Sequence, residues 1–381
     1  MQRRYDVLLY APALGPLLAT NDVGATGGAE TQVFLVARAL AADGLRVCVC
    51  TFDVPGGEIP PRIDGVDIVT RRPYVRGGVV AQVREALALI CDLAATRSSV
   101  YVTRVAGFHV GLVALAARLT RGRFVYSAAN VDDFRFRDYS PPFRDWALHK
   151  LGLALADVLI VQTEEQRARC RTHLGRSAVV IPSFVEEADE SRCPPDTFLW
   201  IGRAAWYKDP LKFVALARAV PEAKFAAVCA PGTGAAEDLT SELERAAALV
   251  PNLTLLPPRP RPELLRLLGR AVAVVNTSVS EGMPNATLEG WARGVPALTF
   301  AHDPDGLIVQ HNLGVFAGAS WERFVEGARQ LWEKRDRQAE LRRRCRAYVR
   351  DVHDPRRVSA MWLAAIFGGA EALALAVPEA A

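Results

Sequence analysis

Two glutamates in one stretch form the densest group of chemically useful residues in the sequence. The segment VVNTSVSEGMPNATLEGWARGVPALTF, residues 274–300, carries Glu281 and Glu289 with seven residues between them. Carboxylates only accept hydrogen bonds, which suits them to hold pairs of neighbouring hydroxyl groups. The alternative is that both glutamates merely cap and solvate a helix.

The same stretch predicts a strand, a turn and a helix. An apolar strand is expected to end at Asn276, and Pro284 is expected at the first helical position, where its missing N–H costs nothing. Gly282 and Met283 lie in the turn before Pro284 and belong to the predicted donor site with Asn285. The backbone N–H groups around Met283, Asn285 and Ala286 would be free at the positive end of the helix. Such a group of amides suits an anion.

A second stretch supplies cations that complement this anion site. FLWIGRAAWYKDP, residues 198–210, is predicted to end a strand and to place Arg203 and Lys208 before the next helix. Fixed cations stabilise negative charge that develops on a leaving group. The alternative is an exposed basic loop without a ligand.

Candidate residues in the N-terminal half depend on weaker patterns. Gly27 and Gly28 precede a predicted helix that starts near Ala29, and glycine permits close approach of a ligand to the backbone. His109 opens another predicted helix, and a partly buried structural histidine is an equal alternative. Asp132 and Asp133 follow a predicted strand, where they either touch an acceptor or cap the next segment.

The elements that position these residues predict an α/β fold. Apolar runs such as DVLLY and VYVT alternate with helical patterns, as in a parallel sheet covered by helices on both faces. The polar segment SFVEEADESRCPPD, residues 183–196, is the predicted linker. We therefore expect two Rossmann-like doubly wound domains, 1–185 and 186–381. They are expected to face a central cleft, and the last helix (about 355–370) is a candidate to pack back on the N-terminal domain.

These motifs resemble the retaining GT-B glycosyltransferases, in particular glycosyltransferase family 4. The two glutamates with seven intervening residues, the Arg–Lys loop and the GGAE loop match that family in form, most specifically over residues 198–315. The resemblance implies that domain 1–185 is the acceptor side and that domain 186–381 binds the nucleotide sugar. It implies that Glu281 faces hydroxyls of a donor sugar and that Glu289 binds the ribose hydroxyls. It also implies that Arg203 and Lys208 bind the donor diphosphate.

In the N-terminal half, the resemblance places the glycines of the GGAE loop near the donor phosphates and His109 beside the donor sugar. It further implies transfer with retained anomeric configuration and no required metal or other cofactor. The donor would be a nucleotide-diphosphate sugar, and Arg259 or its neighbours in PPRPRPEL border the base in the equivalent loop. The acceptor, the sugar and the base are left open, as is the oligomeric state.

Composition limits the other functions of the chain. A net charge of +4 over 381 residues does not indicate nucleic-acid binding. Seven scattered cysteines without a CxxC pair favour reduced thiols and a cytoplasmic location. The absence of a long apolar stretch predicts no membrane span, while Arg71, Arg72 and Arg76 leave peripheral contact with the inner membrane surface open.

Two rival functions remain open at this point. A sugar-nucleotide 2-epimerase shares the GT-B fold and needs no acceptor. A non-catalytic subunit would bind the nucleotide sugar without turnover, but Glu281, Arg203 and Lys208 together argue against the loss of chemistry.

Overall fold

The computed structural model describes residues 4–19, 27–74, 77–139, 142–186, 188, 194–232 and 237–368. Residue contacts divide the chain into two units, Met1–Phe184 together with Pro355–Ala381, and Val185–Asp354. Each unit is a sheet with helices packed on it. Arg76, residues 187 and 189–193 of the predicted linker (Cys193 among them) and residues beyond 368 lie outside the described residues.

The first unit contains a sheet of eight strands. In chain order they are β1 (Val7–Tyr10), β2 (Val47–Phe52), β3 (Arg62–Ile63), β4 (Val66–Arg71), β5 (Val100–Arg104), β6 (Arg123–Ser127), β7 (Val158–Val161) and β8 (Val179–Val180). Their spatial order is β3-β4-β2-β1-β5-β6-β7-β8, and all neighbours are parallel except β3 and β4. The short antiparallel edge strand is a difference from the all-parallel sheet that the sequence predicts.

Helices cover both faces of this sheet. They are α1 (Gly15–Leu18), α2 (Gly28–Ala42), α3 (Val79–Ala95), α4 (His109–Leu119), α5 (Phe143–Leu155) and α6 (Glu164–Leu174). Leu8 of β1 packs in one buried cluster with residues of α3 and α4, whereas Leu9 packs in another with residues of α2. Successive strand residues face opposite sides, so the apolar run of β1 serves two cores.

The second unit contains a six-stranded, fully parallel sheet. Its strands are β9 (Thr197–Arg203), β10 (Phe225–Ala230), β11 (Leu253–Leu256), β12 (Ala271–Asn276), β13 (Ala297–Thr299) and β14 (Gly314–Phe316). Its helices are α7 (Pro210–Ala219), α8 (Glu237–Ala248), α9 (Arg261–Gly269), α10 (Asn285–Ala292), α11 (Leu307–Gln310), α12 (Trp321–Glu333) and α13 (Ala339–Val352). The spatial order β11-β10-β9-β12-β13-β14 is the 3-2-1-4-5-6 order of a Rossmann fold.

The last described helix, α14 (Pro355–Phe367), packs in the first unit. Trp362 and Ile366 belong to the same buried cluster as Leu9. The Ser359 hydroxyl contacts the carboxylate of Asp43, and Arg123 donates to the carbonyl oxygen of Ile366 at 2.8 Å. The first core is therefore completed by residues from both ends of the sequence.

The predicted linker begins with packed residues. Ser183, Phe184 and Val185 are all buried, and the amide of Gln32 in α2 hydrogen-bonds both the carbonyl oxygen and the N–H of Phe184. The first residues of the segment 183–196 are therefore packed rather than exposed, although the segment as a whole is acidic and polar. The reason is that Gln32 satisfies the backbone of Phe184, which removes the cost of burying it.

Two further expectations concern cysteines and membranes. All six cysteines among the described residues are free thiols, and burial raises the pKa values of Cys48 and Cys50 to about 12. Both sulfur atoms therefore fill core space as neutral groups. Across the described part of the chain, no helix combines the length and apolar character needed to cross a bilayer.

Candidate functional site

The second unit places its candidate residues at the point where the strand order reverses. Strands β9 and β12 are neighbours in the middle of the sheet, although β10 and β11 lie between them in the sequence. In open parallel sheets, ligands bind beside the carboxyl ends of such a pair of strands. The loop after β9 carries Lys208, and the loop after β12 carries Glu281.

Hydrogen bonds join these two loops. The N–H of Val279 donates to the carbonyl oxygen of Tyr207 at 2.9 Å, and the Thr277 hydroxyl donates to the carbonyl oxygen of Lys208 at 2.6 Å. The indole N–H of Trp200 donates to the Thr277 hydroxyl at 3.0 Å. Because Trp200 lies in β9, the loop after β12 is anchored to the neighbouring strand as well as to its loop.

An ion pair completes the connection between the loops. The ammonium group of Lys208 donates to Oε1 of Glu281, and the Ser278 hydroxyl donates to the same oxygen at 2.8 Å. The side chains are only 22% and 11% exposed, so the pair is screened by water less than a surface pair. Two donors on one oxygen fix the orientation of the Glu281 carboxylate.

The turn between Glu281 and α10 exposes backbone donors. Pro284 is the N-cap of α10, one residue earlier than the first helical position predicted from the sequence, and no side chain caps this helix. The first N–H groups of a helix have no acceptor inside it. The amides at Asn285 and Ala286 are thus available for an anion, as the sequence predicts.

His302 supports this turn from a third segment. Its Nε2 lies 3.1 Å from the carbonyl oxygen of Gly282, which accepts the hydrogen bond. Met283 is buried and packs in one cluster with Trp291. His302 opens the segment HDPDG, residues 302–306, and its contact with Gly282 holds the carbonyl group of the turn.

The second glutamate of the motif lies in α10. Glu289 is buried, and Nη2 of Arg261 donates to its Oε1 at 2.9 Å. The same guanidinium contacts Oε2 of Glu186 at 2.7 Å. Burial raises the pKa of Glu289, and the charge of Arg261 opposes this shift. For Arg261, burial acts to lower the pKa, but Glu289 and Glu186 outweigh it and the net direction is upward.

A glycine beside Glu289 sets how closely α10 packs on the sheet. A Cβ at Gly290 would lie 2.6 Å from Cγ2 of Val274 in β12, a distance that packed atoms do not tolerate without a shift. The helix that carries Glu289 therefore rests directly on the strand whose loop carries Glu281.

Arg203 differs from Lys208 in having an exposed side chain. It ends β9, where its backbone pairs with Ala230 of β10. Among the described residues, the Arg203 guanidinium has no hydrogen-bond or ion-pair partner. A solvated cation at the end of a central strand remains able to contact an anionic ligand.

The candidates of the first unit also follow the two strands at which its order reverses, β1 and β5. Gly27 is the N-cap of α2 and Gly28 its first residue. A Cβ at Gly27 would lie 2.3 Å from Oε2 of Glu30, the end of a flexible side chain that can move aside, and the backbone of Gly27 is extended. The local chain therefore does not by itself require this glycine. Residues 20–26 of the same loop lie outside the described residues.

His109 is the first residue of α4 and is buried. Its Nε2 lies 3.4 Å from the carbonyl oxygen of Arg104, and its ring lies beside that of Tyr10. Burial lowers the pKa of His109 to about 4, although the contact with Arg104 opposes the shift. The imidazole is therefore neutral at pH 7.

Asp133 is part of a local turn. Its Oδ2 accepts from the N–H groups of Ala129 at 2.6 Å and Asn130 at 3.2 Å, and from the Tyr126 hydroxyl at 3.2 Å. Burial raises the pKa of Asp133. Of the two readings of Asp132 and Asp133 from the sequence, these contacts of Asp133 favour the capping one.

The structure thus joins Lys208 with Glu281 and places Glu289 on the adjoining helix. The sequence named Arg259 or its neighbours in PPRPRPEL as candidates for the base, but it did not single out Arg261 or connect it with Glu289. Arg259 itself lies 3.6 Å from Glu263. Arg261 lies in this same PPRPRPEL motif, so the motif itself was the feature of the sequence that could have pointed to it. Within the described ranges, no cluster of three His, Cys, Asp or Glu residues is arranged to hold a metal ion.

Two family models match the chain in succession. The model described as "Glycosyl transferase 4-like domain" matches residues 27–183, and "Glycosyl transferases group 1" matches residues 186–352. No curated protein matches the sequence as a relative.

Solved structures with the same fold cover nearly the whole chain. Sucrose-phosphate synthase from Thermosynechococcus elongatus is 16% identical, with a TM-score of 0.75 over 94% of this chain and 97% of its own. HepE from Anabaena, solved with UDP and glucose, is 15% identical, with a TM-score of 0.70 over 93% and 97%. WaaG, a glycosyltransferase involved in lipopolysaccharide biosynthesis, is 16% identical, with a TM-score of 0.67 over 95% and 100%. At such identities the likeness establishes the fold.

Proposed function

We propose that this chain, which belongs to the group 1 glycosyltransferases of the GT-B fold, moves a sugar from a nucleotide-diphosphate donor to an acceptor hydroxyl with retained configuration. The observation that carries the proposal is the joined pair of loops at the strand-order reversal of the second unit. There a cation, Lys208, and a carboxylate, Glu281, lie in contact beside the uncapped start of α10. A diphosphate and a hydroxyl-rich sugar need these two kinds of group side by side.

The donor diphosphate is assigned to Arg203, Lys208 and the amides at Met283 and Asn285. Its negative charge grows as the glycosidic bond breaks, so fixed cations and helix-end amides stabilise the transition state more than the ground state. The free guanidinium of Arg203 supports this assignment. These residues supply the charge without a metal ion, and we propose a metal-independent reaction.

The carboxylates are assigned to the hydroxyl groups of the donor. Glu281 takes the donor sugar, because its Oε1 is held by Lys208 and Ser278 while Oε2 has no partner among the described residues. Glu289 takes the ribose. The roles that the family resemblance gives to Gly27, Gly28 and His109 stay predictions, although the neutral state of His109 fits a hydrogen-bonding rather than an electrostatic role.

A uridine donor is the first candidate, since the related HepE structures hold UDP, UDP with glucose, or UDP-glucose. The acceptor class is proposed more broadly, as a saccharide, a lipid-linked saccharide or a small molecule with a free hydroxyl. Cytoplasmic biosynthesis of a polysaccharide, glycolipid or glycoconjugate would use such an enzyme.

The proposal is tested by a donor screen followed by two variants. The correct nucleotide sugar should raise the unfolding temperature, because it binds the folded state. Arg203→Ala and Lys208→Ala should each weaken nucleoside-diphosphate binding about tenfold, as expected for the loss of a charge-assisted contact. Arg218→Ala, an exposed arginine on α7, is the matched control and should bind normally.

The same screen separates the rival functions. An epimerase would isomerise the donor sugar without an acceptor, and a non-catalytic subunit would bind the donor and leave it unchanged with every acceptor offered. Normal nucleoside-diphosphate affinity in folded Arg203→Ala and Lys208→Ala would contradict the proposed site.

We also propose that the first unit contacts a membrane surface through α3. Val79, Val80, Val83 and Leu87 are 53–84% exposed on this helix, and Arg84 lies next to them. An apolar helix face flanked by a cation suits an anionic lipid surface. Of the arginines proposed from the sequence, Arg71 lies within 4 Å of Glu85 and Asp92, so the apolar residues support the contact better.

A further inference from the structure

Arg261 connects three segments that are far apart in the sequence. It is the first residue of α9, and its side chain is 21% exposed. Nε donates to Oε2 of Glu186 at 2.8 Å, and Nη2 donates to Oε1 of Glu289 at 2.9 Å. One planar guanidinium therefore serves two carboxylates, a geometry that arginine provides and lysine does not.

The contact leaves one oxygen of Glu289 unused. Oε1 accepts from Arg261, whereas Oε2 has no partner among the described residues. Rotation of the carboxylate about its terminal bond would break the contact with Arg261. Because the two oxygens of a carboxylate are equivalent, the guanidinium fixes the plane of the group and the position at which the second oxygen is presented to a ligand.

The charges around Glu289 show why the contact matters. Arg261, Arg293 and Glu186 are the charged groups that act on it. Arg293 donates to the main-chain carbonyl oxygen of Glu289 at 3.0 Å rather than to its carboxylate, and Glu186 acts to raise the pKa of Glu289. Arg261 is thus the cation that directly supports the ionised side chain, which burial otherwise disfavours.

We propose that Arg261 is a positioning residue for the ribose of the donor, holding Glu289 so that Oε2 accepts hydrogen bonds from the 2′- and 3′-hydroxyls. This inference rests on the proposed function, in which Glu289 binds the ribose. It adds a specificity: the site distinguishes a nucleotide with a ribose diol from its 2′-deoxy counterpart, and Arg261 maintains that distinction without touching the nucleotide.

The test compares UDP with 2′-deoxy-UDP by calorimetry in wild type, Arg261→Gln and Arg266→Gln. Arg266 lies on the same helix, is exposed and, among the residues described, donates only to the carbonyl oxygen of Pro262 at 3.4 Å, so it is a matched control. Wild type and Arg266→Gln should prefer UDP by about tenfold, the value of a hydrogen bond to a charged group. Arg261→Gln should lose most of this preference, because it should weaken the binding of UDP much more than that of 2′-deoxy-UDP, which keeps only the 3′-hydroxyl as a partner of Glu289.

A pH series adds a second readout. Without its guanidinium partner, Glu289 becomes easier to protonate, so UDP affinity of Arg261→Gln should fall as the pH drops from 8 to 6. The wild type should change much less over this range. Arg261→Lys restores the charge without the planar fork and should recover the pH behaviour more fully than the preference for ribose.

The outcomes separate the two proposals. Equal weakening of UDP and 2′-deoxy-UDP in Arg261→Gln, or no change in either, overturns the positioning role. If wild type binds none of UDP, GDP and ADP, the proposed function itself fails, and the role of Arg261 with it. If UDP binds and Lys208→Ala weakens it, but the ribose preference survives in Arg261→Gln, only the further inference is wrong.

Discussion

Lys208 and Glu281 are in contact, although one is assigned to the phosphates of the donor and the other to its sugar. The ion pair joins the loop after β9 to the loop after β12, and Ser278 shares the same carboxylate oxygen. A donor that binds here meets a lysine whose charge is partly compensated by the glutamate. Binding of the diphosphate and orientation of the sugar carboxylate should therefore be energetically coupled.

This coupling predicts how Lys208→Ala and Glu281→Gln combine. Glu281→Gln removes the compensating charge, so UDP should bind it at least as tightly as it binds wild type, while the sugar portion of a UDP-sugar should contribute less. Lys208→Ala should weaken both ligands about tenfold. Calorimetry on the four proteins of a double-mutant cycle should give an interaction energy of roughly 0.5–3 kcal/mol. Strict additivity, within about 0.3–0.5 kcal/mol, would show that the pair acts independently.

The buried histidines predict acid sensitivity of the first unit. Burial lowers the pKa values of His109 and His149 to about 4, below the value of about 6.5 in an unfolded chain. Between these values the unfolded state binds more protons, so the free energy of unfolding should fall as the pH drops from 6.5 to 4. The expected slope is about 1.4 kcal/mol per pH unit for each histidine within that window.

Urea unfolding at several pH values checks this slope. His149→Gln should reduce the pH dependence of the free energy of unfolding, whether or not it changes that free energy at pH 7. His311→Gln, at an exposed position, is the control and should leave the slope as in wild type. An equal slope in His149→Gln would contradict the buried neutral state of that imidazole.

Membrane contact through α3 predicts co-sedimentation with vesicles. The protein should bind vesicles that contain phosphatidylglycerol, and less so at high salt or with phosphatidylcholine alone. Val80→Ser and Val83→Ser should each weaken binding about tenfold, because each loses apolar area buried in the interface. Leu249→Ser alters an equally exposed apolar residue of the second unit and should have no effect. If the protein fails to sediment with anionic vesicles at low as well as at high salt, the membrane proposal is wrong. If the protein instead forms a concentration-dependent dimer that Val80→Ser abolishes, α3 contacts a second copy of the chain.

The sequence predicted the strand, turn and helix around the two glutamates well, because the apolar pattern, the turn residues and the position of the proline all indicate the same structure there. The apolar strand that ends at Asn276 and the turn before the helix near Pro284 follow from the local sequence pattern, and each is present. It did not predict β3, because two residues carry no periodic signal. It also did not reveal that the predicted linker begins with packed residues, since the burial of Phe184 depends on a distant partner, Gln32.

In the candidate site too, the residues in short local motifs were predictable, whereas those that depend on distant contacts were not. Glu281, Lys208 and the turn were accessible to sequence analysis because each lies within a short motif at a strand end. Arg261 was not, since its significance arises from contacts with Glu186 and Glu289, which are 75 and 28 residues away. Which arginine of PPRPRPEL turns inward depends on where α9 begins, and a stretch rich in proline and arginine does not fix that register.

The return of α14 to the first unit has a consequence for biosynthesis. Trp362 and Ile366 fill a core that otherwise consists of residues from the first 184 positions. During translation from the N-terminus, that core lacks part of its apolar contents until the entire second unit has left the ribosome. The first unit therefore begins to be synthesised first but completes its core last. A chain truncated before residue 355 would expose the apolar surface that α14 covers.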